Sequence, residues 1–181
     1  MSNVKRRMSN VESKKEMIVV KEALPNEFNI IQDIAYKTWP ETYGNIVSEQ
    51  QLDYMLKAFY SLEGLNKNVA NNHHFLLANE GETTLGFASY VHNYQNKSVT
   101  KIPKIYILPE AQGKGVGKIL IDAIALLAIS HGSEKLTLNV NRFNPAKGFY
   151  EKLGFDVVAE EDIKLDHGYL MEDYIMEKLL P

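Results

Sequence analysis

The spacing of hydrophobic positions along this chain changes several times, and each change marks an element. "MIVVKEA" (17–23) is β-branched and predicts a strand. In "PNEFNIIQDIAYKTW" the apolar residues Phe28, Ile31, Ile34, Ala35 and Trp39 fall close to helical spacing, with Asn26 as N-cap and Pro40 as terminator. "PETYGNIV" then reads as a polar and aromatic loop. Ser48 and Gln51 are spaced as a capping box, opening a helix with Leu52, Met55, Leu56 and Phe59 on one face. "EGLNKNVANN" reads as a further loop, rich in Asn and Gly.

"HHFLLANEGETTLGFASYVHNY" predicts two strands around the turn Glu80–Gly81–Glu82. "SVTKIPKIYIL" is another strand, in which Pro103 implies an edge position or a bulge. "VGKILIDAIALLAISHG" is apolar on most of its circumference, a helix buried against a sheet and ended by Gly132. "KLTLNV" is a strand, "NPAKGFYEKLG" a short helix stopped by Gly154, and "FDVVAEE" and "YLMEDYIMEKLL" are closing strands. The order β-α-α-β-β-β-α-β-α-β-β predicts an α/β layer fold in one domain over 17–181.

Composition narrows the function without naming it. A net charge of −3 and a pI near 6.0 argue against a nucleic-acid partner. No apolar run is long enough for a membrane span. With zero cysteines there is no thiolate metal ligand and no catalytic thiol, and a reducing, cytoplasmic setting fits. Residues 1–16 carry a basic cluster without a hydrophobic h-region and repeat MSNV at Met1 and Met8, which reads as a mobile arm. His73 and His74 lack partners at ligand spacing, so no metal site is expected. A homodimer is compatible with all of this.

The chemistry sits in "ILPEAQGKGVGKIL" (107–120), where three glycines stand between a strand and a helix. Backbone freedom at a helix N-terminus suits an anion held on bare N–H groups. A P-loop fails by letter, because Ile119 follows Gly117–Lys118. The dinucleotide fingerprint fails too, its third glycine falling on Lys118 or Leu120.

Q-G-K-G-V-G at 112–117 instead resembles the Q/R-x-x-G-x-G/A signature of the GNAT (GCN5-related N-acetyltransferase) superfamily. "NPAKGFYEKLGF" (144–155) resembles that family's second motif, and the likeness runs in element order over 17–180. "WPETYGNIVSEQQLDYML" and "GYLMEDYIMEKLL" are similar to bacterial polyamine acetyltransferases. The resemblance implies a mixed, mostly antiparallel sheet flanked by helices and splayed at an acetyl-CoA site. It implies acetyl transfer to a primary amine of a small molecule by direct attack.

On that resemblance Gln112, Gly113, Lys114, Gly115, Val116, Gly117 and Lys118 hold the pyrophosphate of acetyl-CoA, though both lysines read equally as solvated. A backbone N–H around Tyr106 or Ile107 polarises the carbonyl. Tyr150 protonates the departing thiolate. Asn144 contacts the pantetheine arm, with Asn139 and Asn141 as alternatives and a helix N-cap as an equally good role for Asn144. Many relatives place a Glu base on the strand before the loop, whereas this chain has Lys101, Pro103 and Lys104 there. Glu41, Tyr43, His73, His74 and His92 remain as candidates for the base. Glu41, Tyr43, Tyr90 and Tyr94 suit a cationic acceptor by charge and cation–π contact. Acetylation of a protein or peptide amine, or a catalytically silent acyl-CoA-binding module, are the competing readings.

Overall fold

In the computed structural model, which describes residues 16–181, one seven-stranded sheet organises the chain in the order β1-β2-β3-β4-β5-β7-β6. The strands are β1 (Ile18–Glu22), β2 (His74–Glu80), β3 (Thr83–Val91), β4 (Val99–Ile107), β5 (Lys135–Asn141), β6 (Asp156–Lys164) and β7 (Leu170–Leu179). Five helices flank them: α1 (Phe28–Tyr43), α2 (Glu49–Tyr60), α3 (Leu62–Ala70), α4 (Val116–Ser130) and α5 (Ala146–Lys152). Every neighbouring pair is antiparallel except β4–β5, which is parallel. The mixed, mostly antiparallel sheet matches the sequence expectation. The expected arm falls, apart from Glu16, outside the described residues.

Helix α1 departs from expectation at both ends. Asn26 is not its cap: residues 25–27 form a 3-10 turn, and the Glu27 carboxylate accepts from the Leu24 N–H at 3.0 Å. Pro40 does not end the helix, which runs on to Tyr43 through what the pattern read as loop. Proline removes the bond to the carbonyl four residues back, here Tyr36. Both residues are on the exposed side of the helix, where water can serve that carbonyl, while Trp39 and Tyr43 on the other side are buried. Packing of the last turn outweighs the proline.

The supposed loop 63–72 is mostly helix α3. Ser61 caps it by accepting from Gly64 N–H at 3.0 Å, and Leu65 is fully buried. Ser48 caps α2 as expected, through the Gln51 N–H at 3.1 Å. Helix α4 lies on the sheet through Val116, Leu120, Ile121, Ile124 and Ala128, but it is not buried all round. Leu126 on its outer side is 70% exposed.

Pro103 lies in a central strand, so the edge reading is wrong and the bulge reading right. Between the pairs Ser89↔Lys104 and Val91↔Lys101, β4 spends one more residue than β3. On its other side β4 pairs with β5 only from Val99↔Lys135 to Ile102↔Leu138. Pro103 is the next residue and has no N–H to continue the ladder. Beyond it the two strands part.

If α3 is held by its buried face, Leu65→Ala should lower unfolding free energy by about 2–5 kcal/mol, the usual cost of a leucine-sized cavity. Urea unfolding followed by circular dichroism measures this, and a loss within a few tenths would mean that α3 does not contribute to the core.

Candidate active site

The parted strands open a cleft of about 830 Å³, walled by Ile102, Pro103, Ile105, Tyr106 and Ile107 of β4, β5 residues 138–140, the end of α1, the glycine loop and α5. β5 remains tied to β7 up to Asn141↔Asp173, and β4 to β3 at Gly86↔Ile107. Each wall is therefore anchored on its far side while its near side offers unpaired backbone to the gap.

The glycine loop forms the floor at the start of α4. Gly113 and Gly115 have φ of +80° and +79°, and a Cβ at either would meet nothing within 4 Å. These two glycines are needed for their dihedrals. Gly117 is needed for another reason, because a Cβ there would sit 2.9 Å from Phe149 Cζ. No side chain caps α4. Among the described residues the amides of Gly115, Val116, Gly117 and Lys118 have no carbonyl acceptor. These free N–H groups, with the positive end of the helix dipole, make an anion site.

Most of the expected residues meet here. Glu41, Tyr43, Tyr106, Ile107, Gln112, Gly113, Gly115, Val116, Gly117, Asn144 and Tyr150 all line the cleft. Asn144 keeps both readings, since its Oδ1 accepts from the Ala146 N–H at 2.9 Å at the start of α5. Of its alternatives, Asn139 lines the cleft, whereas Asn141 is occupied by the Phe143 N–H at 3.0 Å.

Other candidates are placed elsewhere. Lys114 pairs with Glu80 at 2.8 Å, and Lys118 pairs with Asp122 one turn along α4. Tyr94 lies in a separate cavity of about 240 Å³, where its hydroxyl accepts from Lys101 Nζ at 3.0 Å. The two cavities share Asn139. Tyr90 stacks on His74 with ring centres 5.0 Å apart. His92 stacks on His131 at 4.0 Å and bonds Thr100 at 2.7 Å. Neither these histidines nor His73 reaches the cleft. Burial pushes His73 down to about 4, and burial with His131 and His74 does the same to His92, so both are neutral at pH 7.

The cleft concentrates phenols. The Tyr43 and Tyr106 hydroxyls lie 3.2 Å apart, inside an aromatic group with Trp39 and Tyr60. Burial raises the pKa of Tyr150, with a smaller contribution from Tyr43. Burial likewise raises Tyr43 and holds Tyr106 well above the phenol range. All three are neutral hydrogen-bond donors across the physiological range. Phe149 was not singled out in the sequence, although it stands beside Tyr150 in the second motif; its spacing to Gly117 emerges only in three dimensions.

A split sheet with an anion site at one end and a buried phenol at the other suits a phosphate-bearing ligand whose far end lies in the gap between the strands. The acetyltransferase (GNAT) family model matches residues 28–155, and the chain belongs to that family. It is 31% identical over 145 residues to the 5-NmdU N-acetyltransferase of Pseudomonas phage PaMx11, covering 80% of this chain and 91% of that one. It is 28% identical to the spermidine N(1)-acetyltransferase of Thermoplasma acidophilum, covering 81% and 87%. The crystal structure of PaiA N-acetyltransferase from the same organism, in complex with coenzyme A, superposes with a TM-score of 0.74 at 25% identity. That match covers 90% of this chain and 99% of the other. The protein is an N-acetyltransferase, and its acetyl donor is acetyl-CoA.

The differing reasons for the glycines give a test. Gly115→Val should weaken coenzyme A binding about tenfold or more, because a branched side chain resists φ of +79° and crowds the free amides. Gly117→Ala should instead lower the melting temperature by displacing Phe149. Calorimetry with coenzyme A and thermal unfolding separate the two; unchanged affinity in a folded Gly115→Val protein would place the phosphates elsewhere.

Proposed function

We propose that the enzyme acetylates a primary amine of a small molecule in the cytoplasm, by direct attack within the split between β4 and β5, with polyamines as the first acceptor class. The observation that carries this is a single cleft in which the free amides of the glycine loop, the Tyr150 phenol and the Glu41–Tyr43 wall face one gap. Similarity to a spermidine acetyltransferase supports the acceptor class.

Bound acetyl-CoA supplies an acetyl group activated as a thioester. The amides of Gly115–Lys118 receive its anionic end, and Asn144 meets the pantetheine arm. An unpaired N–H near Tyr106 or Ile107 polarises the carbonyl. Tyr150 donates a hydrogen bond to the departing sulfur. From reference values a full proton transfer from phenol to thiolate is uphill by about 2 kcal/mol. Burial raises Tyr150 further, which makes full transfer costlier, so the phenol acts as a donor that strengthens in the transition state. Glu41 and the neutral Tyr43 face the acceptor, Glu41 by charge and Tyr43 by its ring.

Thiol release from acetyl-CoA across polyamines, simple alkylamines and lysine-containing peptides tests the acceptor class: activity confined to peptides overturns it. Tyr150→Phe should lower turnover about 10²-fold with coenzyme A affinity unchanged, because only a transition-state contact is lost. Near-normal turnover would remove Tyr150 from the mechanism.

A further inference from the structure

An alkylammonium must lose a proton before it can attack, and at pH 7 only about one part in a thousand of such an amine is neutral. β4 offers no carboxylate, carrying Lys101, Pro103 and Lys104 instead. Glu41 faces the cleft but is exposed, and the histidines are elsewhere. One buried acid beside the cleft has no function in what has been described so far.

Asp173 stands on β7 opposite Asn141, the residue after the β5 segment that walls the cleft. It is 94% buried, being 6% exposed. Among the described residues its Oδ1 is sealed from solvent and has no hydrogen-bond donor. Its Oδ2 has only Asn139 Nδ2 at 3.4 Å, a long bond, because that amide is turned toward Glu161 at 2.9 Å. A half-served buried carboxylate is destabilising, and a cation is the partner that would offset it. Asn139 lines the cleft, and Tyr43, which also lines it, feels the charge of Asp173. Asn139, whose side chain bonds Asp173, is thus the residue that links this carboxylate to the wall of the cleft.

Accepting the acetyltransferase reading above, we propose that Asp173 receives the proton of the acceptor ammonium. The ammonium N–H bond breaks and an O–H bond forms on Asp173, leaving the amine neutral and the carboxyl uncharged. The amine lone pair then forms the C–N bond as the C–S bond breaks. The second N–H proton leaves with the sulfur or to water, and Asp173 returns its proton to solvent when product departs. Asn139 must swing aside, through its weaker bond, to admit the ammonium or a bridging water.

The electrostatics are consistent with this role. Burial raises the Asp173 carboxyl and Glu161 on β6 adds to the rise, while Asn139, Lys101 on β4 and Arg142 oppose it; the charge of Asp173 in turn helps to keep Tyr43 of α1 a neutral phenol. A carboxyl raised in the folded state stabilises the fold at pH below its unfolded value, and this contribution is lost as pH rises through the folded value. At pH 7 Asp173 therefore costs stability.

Asp173→Asn tests the proposal with two acceptors, an alkylamine and an alkoxyamine that is already neutral at pH 7. The alkylamine turnover at pH 7 should fall about 10²-fold or more. The loss should shrink about tenfold per pH unit as the free amine fraction grows. Alkoxyamine turnover and coenzyme A affinity should stay near wild type, and the melting temperature at pH 7 should be no lower. Asp173→Glu, which restores a carboxylate, should recover at least about tenfold of the lost alkylamine turnover. The proposal is overturned if alkylamine turnover stays within about threefold of wild type, or if both amines lose equally at every pH with a lowered melting temperature. No gain in Asp173→Glu over Asp173→Asn also overturns it. A wild-type protein that releases no thiol with any amine would instead overturn the acetyltransferase reading on which this one rests.

Discussion

The structure turns on one missing hydrogen-bond donor. β4 and β5 are the only parallel neighbours among the described strands, and their ladder stops at Ile102↔Leu138 with proline as the next residue on β4. Proline at that position has no N–H to offer to either neighbouring strand. The bulge against β3 over the same residues bends β4 further. Opening a sheet exposes backbone groups that elsewhere would have to be satisfied. Here those groups face a cleft that admits water or substrate, so the break is tolerated where it is used.

The rest of the site follows from that break. α4 starts where β4 ends, and a loop turning between them needs residues at positive φ, which Gly113 and Gly115 supply. The helix start is left without a side-chain cap, in contrast to α2 and α3, where Ser48 and Ser61 satisfy the first turn. A serine at position 115 would cap α4 only by adopting extended dihedrals, and it would occupy the amides that an anion needs. The same chain thus caps its structural helices and leaves the functional one bare.

What the sequence made legible is what depends on local pattern. The strands, the glycine loop, α4 and α5 could be read because their periodicity and turn residues are consistent with their final state. Helix α3 was missed because residues 63–72 carry five Asn and Gly residues among few apolar ones, and it is held by one cap and one buried leucine. Pro40 misled because a local rule was overridden by burial of Trp39 and Tyr43 one turn away. The histidines and Tyr94 were read as candidates by residue type alone, whereas reaching the cleft is a matter of register across strands. Asp173 had a faint signal: Met171, Asp173 and Ile175 alternate on β7, so an acid stands between two apolar residues of one face. Its burial and missing donor, however, come from β5 and β6, and no spacing within β7 reveals them.

Tyr43 shows how the two halves of the site are joined. Its ring packs against Trp39 at 4.7 Å in the core under α1, and its hydroxyl reaches Tyr106 on β4. Asn144, before α5, lines the same cleft, and Tyr43 ionisation is opposed by Asp173 on β7. One side chain therefore links the core under α1, the splayed strand β4 and, through charge, the buried acid on β7. Because its phenol stays neutral, Tyr43 cannot compete for the acceptor proton; it can only orient hydrogen bonds. That limit is useful. A cleft crowded with neutral phenols offers donors to developing negative charge without adding a base, and in the proposed mechanism it is therefore the carboxylate of Asp173, not a phenol, that takes the proton of the acceptor.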